Sequence, residues 1–138
     1  MLTNKTKIRV RYADTDKMQI VYNGKYLEYF EVGRTELLRN LGLPYSEIEK
    51  MGYQLPLIEA YIKYHKPAKY DDILEIEANI NKIYSAVLHI EYKIKHENGK
   101  EILISGFTNH VFINEKTKKA TKPPDFFIEL VNKNAVNH

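Results

Sequence analysis

From Tyr26 onward the large residues recur at helical spacing, at Tyr26, Tyr29, Phe30, Gly33, Leu37, Leu38 and Leu41, with Glu28, Glu31, Glu36 and Arg39 on the other sides. The spacing predicts one long helix from about Asn23 to Leu41. Asn23 offers an N-cap side chain, and Gly42 suits a C′ position where the chain turns left-handed. Ser46 and Glu49 form an S-x-x-E capping-box pattern after Pro44, which predicts a short second helix stopped by Gly52.

Elsewhere the period is two. Lys7 to Tyr12 reads as a first strand, and Ala13 to Tyr22, with its two aspartates, as a loop. Leu55 to Tyr64 reads as a strand, leaving through the turn Pro67 to Asp72. Leu74, Ile76, Ala78 and Ile80 share one parity, as do Ala86, Leu88, Ile90, Tyr92 and Ile94, so both segments predict half-buried antiparallel strands. Asn98-Gly99 has the composition of a type I′ hairpin turn and leads into Glu101 to Ile113, which is apolar on both parities and predicts burial on both faces. The lysine-rich stretch Asn114 to Pro124, closed by a Pro-Pro breaker, reads as loose. The result is an α+β class, with one long helix covered by a curved antiparallel sheet of about five strands. One helix covers only one sheet face, so the second apolar surface predicts a homodimer, with a tetramer also open.

Length adds that residues 1 to 138 form one domain, large enough to bury a core from its 43% apolar residues. The absence of cysteine removes thiol nucleophiles and Cys-ligated metal from consideration and agrees with a cytoplasmic location. Net charge is +3 with basic and acidic residues interspersed, which does not point to nucleic acid. Met1 to Val10 lacks the apolar run of a signal, and no stretch approaches the ~18 apolar residues of a membrane span. His65, His89, His96, His110 and His138 show no metal-ligand spacing, so neither a metal nor another cofactor is expected.

Chemistry is suggested where Asp14, Thr15 and Asp16 precede the start of the long helix. Free N–H groups at a helix start can bind an oxygen that gains negative charge, while a nearby carboxylate attacks or deprotonates water. The alternative is that both aspartates are solvated loop acids or caps.

Three segments carry a resemblance: Tyr12-Ala13-Asp14-Thr15-Asp16, Val21-Tyr22-Asn23-Gly24-Lys25-Tyr26, and Phe30-Glu31-Val32-Gly33-Arg34-Thr35-Glu36. Together they resemble the D-T-D-x-x-G-x-V-Y-H-x-x-Y…E-x-x-R-x-E signature of the 4-hydroxybenzoyl-CoA thioesterase family, close to the acyl-CoA thioesterases of the Tol-Pal cluster. Tyr64 to Asp72 is similar to that family's R-P-A-x-x-D-D segment. The resemblance implies a hotdog fold and hydrolysis of acyl-CoA or acyl-carrier-protein thioesters. It makes Asp16 the catalytic nucleophile or general base, with Tyr12 packed near it, and has the backbone N–H at Asn23 polarise the thioester carbonyl. Gln19 stands where the family has Gly, which bears on loop geometry and pocket width. Val21, Tyr22, Tyr26 and Gln19 are expected at the substrate, with Lys63 and Lys66 toward the CoA phosphates.

The plainer readings make Asn23 an N-cap, Tyr12, Tyr22 and Tyr26 core aromatics, Glu31 and Arg34 a helical ion pair, and the lysines a solvated strand edge. Ser46, Ser85 and Ser105 lie in no G-x-S-x-G elbow, and the loop before the helix lacks the His of a hotdog dehydratase. A non-catalytic acyl-CoA or acyl-carrier binding protein is the alternative from another class.

Overall fold

Five long strands build the sheet in the computed structural model, which describes residues 1–136. They are β1 (Leu2–Arg9), β3 (Leu57–Tyr64), β4 (Ile73–Ile80), β5 (Val87–His96) and β6 (Ile102–Asn114); β2 (Tyr53–Gln54) and β7 (Ala120–Thr121) are two-residue strands on β6. The long strands run in the order β1-β4-β5-β6-β3, all antiparallel. Helix α1 (Lys25–Asn40) packs on one face, α2 (Tyr45–Lys50) follows it, and α3 (Asp125–Val136) comes last among the described elements.

The α1 stripe is buried as its spacing predicts, from Tyr26 through Tyr29, Phe30 and Leu37 to Leu38. Phe30 stacks on Tyr92 of β5 with ring centroids 4.2 Å apart. Gly33 lets the helix approach β4, because a Cβ there would lie 2.7 Å from Ile76 Cγ2. At the far end Leu43 N–H donates to Leu38 C=O and Gly42 N–H to Arg39 C=O, a Schellman closure with Gly42 at φ +89°.

Several sequence expectations change. β1 starts at Leu2 because Asn4 and Thr6, short polar residues, occupy its inward parity beside Leu2 and Ile8. Ser46 makes no cap bond, since Pro44 stands at the N-cap of α2 and Ser46 lies inside the helix; Gly52, at φ +91°, does end that segment. The β5–β6 turn is centred one residue early: His96 C=O accepts from Gly99 N–H, and Asn98 alone of the Asn-Gly pair has a positive φ. β6 buries its even parity at Ile104, Thr108, His110 and Phe112, whereas Phe107 and Val111 opposite are only half-buried.

The lysine-rich stretch is a tight turn in which Asn114 Oδ1 accepts from the N–H groups of Lys116 and Thr117. Its Pro-Pro starts a helix that the sequence reading missed. Pro124 C=O accepts from Phe127 and Ile128, and Phe127, Val131 and Ala135 bury one face of α3, with Phe127 edge-on to Phe112.

Candidate functional site

After β1 a single 3₁₀ turn, Tyr12–Asp14, leads into a loop that its own backbone closes. Thr15 bridges Val21, Asp16 N–H donates to Ile20 C=O at 2.9 Å, and Gln19 N–H donates to Asp16 C=O at 2.9 Å. The closure places Gln19 at φ 61°, a left-handed conformation that a glycine takes at no steric cost. Gln19 takes part in the loop through its backbone N–H and C=O. The loop is tied to the turn after β3 by Val21 N–H to Ala68 C=O and Tyr70 N–H to Gln19 C=O.

The two aspartates have opposite surroundings. Asp16 is exposed, with Oδ1 accepting from Met18 N–H at 2.8 Å. Asp14 is 3% exposed and accepts from Tyr29 Oη, Arg11 N–H, Arg11 Nη2 and Lys25 Nζ. It is not a solvated loop acid. Burial by itself raises its pKa, but the bonds from Arg11, Tyr29 and Lys25 outweigh burial and hold the carboxyl below its ordinary value.

Helix α1 begins one residue later than an Asn23 cap requires. Gly24 stands at the N-cap with nearly helical angles, and no side chain caps it. Among the described residues the N–H groups of Asn23 and Gly24 have no protein acceptor, and the positive end of the helix dipole lies behind them.

Beside this helix start lies a groove of about 240 Å³. Of the expected residues it brings together Val21, Asn23, Tyr26 and Lys66; the reading of the sequence had not assigned Ile20, Tyr64, His65, Pro67 and Ile104 to it. Tyr64 and Ile104 are register partners on the even, helix-facing parity of β3 and β6, so strand parity was the signal available for them. Tyr26 is buried, its oxygen accepts from Ala68 N–H at 3.1 Å, and burial pushes its phenol pKa up, so it serves as a neutral wall. Tyr64 Oη donates to Asn23 C=O at 3.3 Å, and its ring meets Tyr26 edge-on. Asp16 does not line this groove; its N–H is bonded to the C=O of Ile20, which does.

Tyr12, Tyr22, Gln19 and Lys63 do not line it. Tyr12 and Tyr22 are exposed rather than core; Tyr12 meets Tyr70 edge-on, and the Tyr22 ring covers Gly24. Lys63 sits opposite Ser105 on the outer sheet face, and Lys66 pairs with Glu101 at 2.6 Å.

Residues 10–131 match the thioesterase-like superfamily. The chain belongs to that superfamily. It is 36% identical over 126 residues, 91% of this chain and 88% of the other, to a Bacillus subtilis protein named "Putative acyl-CoA thioesterase YneP". A DHNA-CoA thioesterase structure from Staphylococcus aureus superposes with a TM-score of 0.82 at 32% identity, covering 88% of this chain and 81% of that one. A 1,4-dihydroxy-2-naphthoyl-CoA thioesterase from Synechocystis superposes at 0.84 with 25% identity over 94% and 95% of the two chains. The fold is the hotdog fold, and the enzyme is a thioester hydrolase. No helix among the described residues is long and apolar enough to cross a membrane.

Among the described residues His65, His89 and His96 each meet a polar side chain at the surface, Ser105, Asn109 and Asp72 respectively. His138 lies outside the described residues. Arg34 does not pair with Glu31; its Nη1 donates to Tyr92 Oη at 3.2 Å, and Tyr92 and His110 both meet Thr108 Oγ1. Burial first, and then the Arg34 charge, lower the pKa of His110 from 6.5 to about 4.

That shift makes stability depend on pH with a definite sign. An unfolded His110 takes up a proton near pH 6.5 while the folded one resists it down to about 4, so its contribution is complete above pH 6.5 and is lost as pH falls toward 4. The loss amounts to about 3 kcal/mol across the window. Urea midpoints measured from pH 7 to 4 are expected to fall accordingly, and His110→Gln is expected to flatten the slope. An equally steep slope in that variant assigns the dependence to other groups.

Proposed function

We propose that this thioesterase hydrolyses acyl-CoA to the free acid and CoA, with the acyl group in the groove beneath Tyr26 and Tyr64. The observation that carries the reading is the pairing of an exposed carboxylate, Asp16, with the unpartnered Asn23 and Gly24 N–H groups on the two ends of one closed loop, among the described residues. Asp16 attacks the thioester carbon or takes a proton from the water that does. The carbonyl oxygen, gaining charge, is held by the helix-start N–H groups. The C–S bond then breaks. In the first route this leaves an acyl–Asp16 anhydride that water cleaves to the acid and free Asp16; in the second the water oxygen is already on the acyl carbon. In both, the thiolate takes up a proton equivalent to the one water gives up and leaves as CoA thiol. Tyr12 supports the loop through its C=O, which accepts from Thr15 Oγ1 at 2.7 Å. Tyr22 covers Gly24, Gln19 sets the loop backbone, and Lys66 at the groove, with Lys63 farther out, meets the CoA phosphates.

The D-T-D loop and the Val21-Tyr22-Asn23 segment favour the 4-hydroxybenzoyl-CoA and Tol-Pal branch within the superfamily. In this reading residues 1 to 138 act as one cytoplasmic thioesterase domain, and an acyl-carrier protein is a second donor of the same acyl thioester. Thiol release measured with a panel of acyl-CoAs tests the activity: turnover supports it, while saturable binding without thiol release supports a binding protein instead.

The active form is read as a homodimer, with a tetramer built from such dimers. Among the described residues β3 hydrogen-bonds only to β6, and its Leu57, Ile58, Tyr61 and Tyr64 are exposed, an apolar edge of the kind a second copy covers. Light scattering at micromolar concentration is expected to give at least twice the chain mass. A monodisperse monomer contradicts this.

A further inference from the structure

We infer that Asp14 is a positioning residue that sets the spacing between Asp16 and the helix-start N–H groups. The inference rests on the reading of Asp16 given above.

Asp14 grips all three parts of the site's frame. Its Oδ2 accepts from Arg11 N–H at 3.1 Å, at the end of the first-strand segment, and from Tyr29 Oη at 2.9 Å, one turn into α1. Its Oδ1 accepts from Lys25 Nζ at 3.2 Å, on the first residue of α1, and from Arg11 Nη2 at 3.3 Å. Its own C=O accepts from Tyr22 N–H at 2.9 Å, and Tyr22 C=O in turn accepts from Lys25 N–H at 2.9 Å. Tyr22 immediately precedes Asn23, and Asp16 lies two residues after Asp14. The side chain therefore fixes where the helix begins and the main chain fixes where the loop returns to it.

Every group that the Asp14 carboxylate meets is a donor, and two of the side chains, Arg11 and Lys25, carry positive charge. A carboxylate alone meets that demand. An amide of the same shape turns an NH₂ toward one of the donors, leaves Arg11 without its counter-charge and leaves Lys25 with Glu28 alone. The frame then relaxes. Displacement of a reacting group by about 1 Å costs on the order of 10²-fold in rate even when the altered residue touches no substrate.

The full chain carrying Asp14→Asn is assayed for thiol release from an acyl-CoA that the wild type turns over, at a temperature where circular dichroism shows the variant folded. Turnover is expected to fall roughly 10- to 100-fold with KM changed by less than about threefold. Amide exchange is expected to quicken at Met18, Tyr22 and Lys25 while the sheet amides keep their protection. Tyr29→Phe keeps the charge and removes one donor, so it is expected to show a smaller loss, and the double variant to be no slower than Asp14→Asn alone. A folded Asp14→Asn enzyme with wild-type kcat and unchanged exchange overturns the inference. If that variant does not fold, Tyr29→Phe decides it, lowered kcat supporting the inference and wild-type kcat overturning it. Should Asp16→Asn retain full turnover, the reading of Asp16 fails separately, and the exchange measurement still decides whether Asp14 holds the loop.

Discussion

Asp16→Asn is expected to lower turnover of acyl-CoA by at least ~10²-fold while KM changes little. The substitution keeps the size of the side chain and its ability to accept from Met18 N–H, the hydrogen bond that the Asp16 side chain makes. It removes the anionic oxygen that, in the proposed mechanism, attacks the thioester carbon or deprotonates water. The groove walls, Tyr26, Tyr64 and Ile104, do not contact that oxygen through any hydrogen bond, so binding of the acyl group is left in place. Initial rates of thiol release over a range of substrate concentrations separate the two effects. Near-normal kcat in a folded variant places the reacting carboxylate elsewhere.

Leu37→Asp is expected to abolish folding. Leu37 is 2% exposed on the α1 stripe that faces the sheet, a stripe built from Tyr26, Tyr29, Phe30, Gly33 and Leu38 around it. A carboxylate there either ionises unpaired or is protonated and still loses the packing of a leucine. Each route costs several kcal/mol, a large part of the roughly 5–15 kcal/mol that holds a domain of this size together. The expected result is loss of the cooperative thermal transition by circular dichroism. A variant that melts like the wild type shows that this face of the helix is not the buried one.

Residues whose periodicity was strong, such as the α1 stripe and the parities of β4 and β5, were legible because burial of one face dictates their spacing. The Gly42 closure was legible as well, since few residues tolerate φ near +89°. What escaped had local chemistry that competed with the pattern. β1 hides its register behind Asn4 and Thr6, α3 is announced by prolines that read as a breaker, and Ser46-x-x-Glu49 has the letters of a capping box too far into the helix.

Of the groove's lining the motif named Asn23, Val21 and Tyr26, whereas Tyr64 and Ile104 reach the groove only because β3 and β6 pair in a particular register. Register depends on contacts between Tyr64 and Ile104, far apart along the chain, and leaves no local signature. The division of labour within Asp-Thr-Asp was equally invisible. Only the fold shows that Asp14 turns inward to Arg11, Lys25 and Tyr29 while Asp16 faces solvent.

The measurement that bears most directly on the site is a crystal structure of the Asp16→Asn protein with an intact acyl-CoA bound. The thioester oxygen is expected about 3 Å from the Asn23 or Gly24 N–H, with the acyl group between Tyr26, Tyr64 and Ile104 and the amide introduced at position 16 facing the thioester carbon. A thioester seated instead in the cleft beside Arg9, Arg11 and Val32, on the far side of the helix start, contradicts the account.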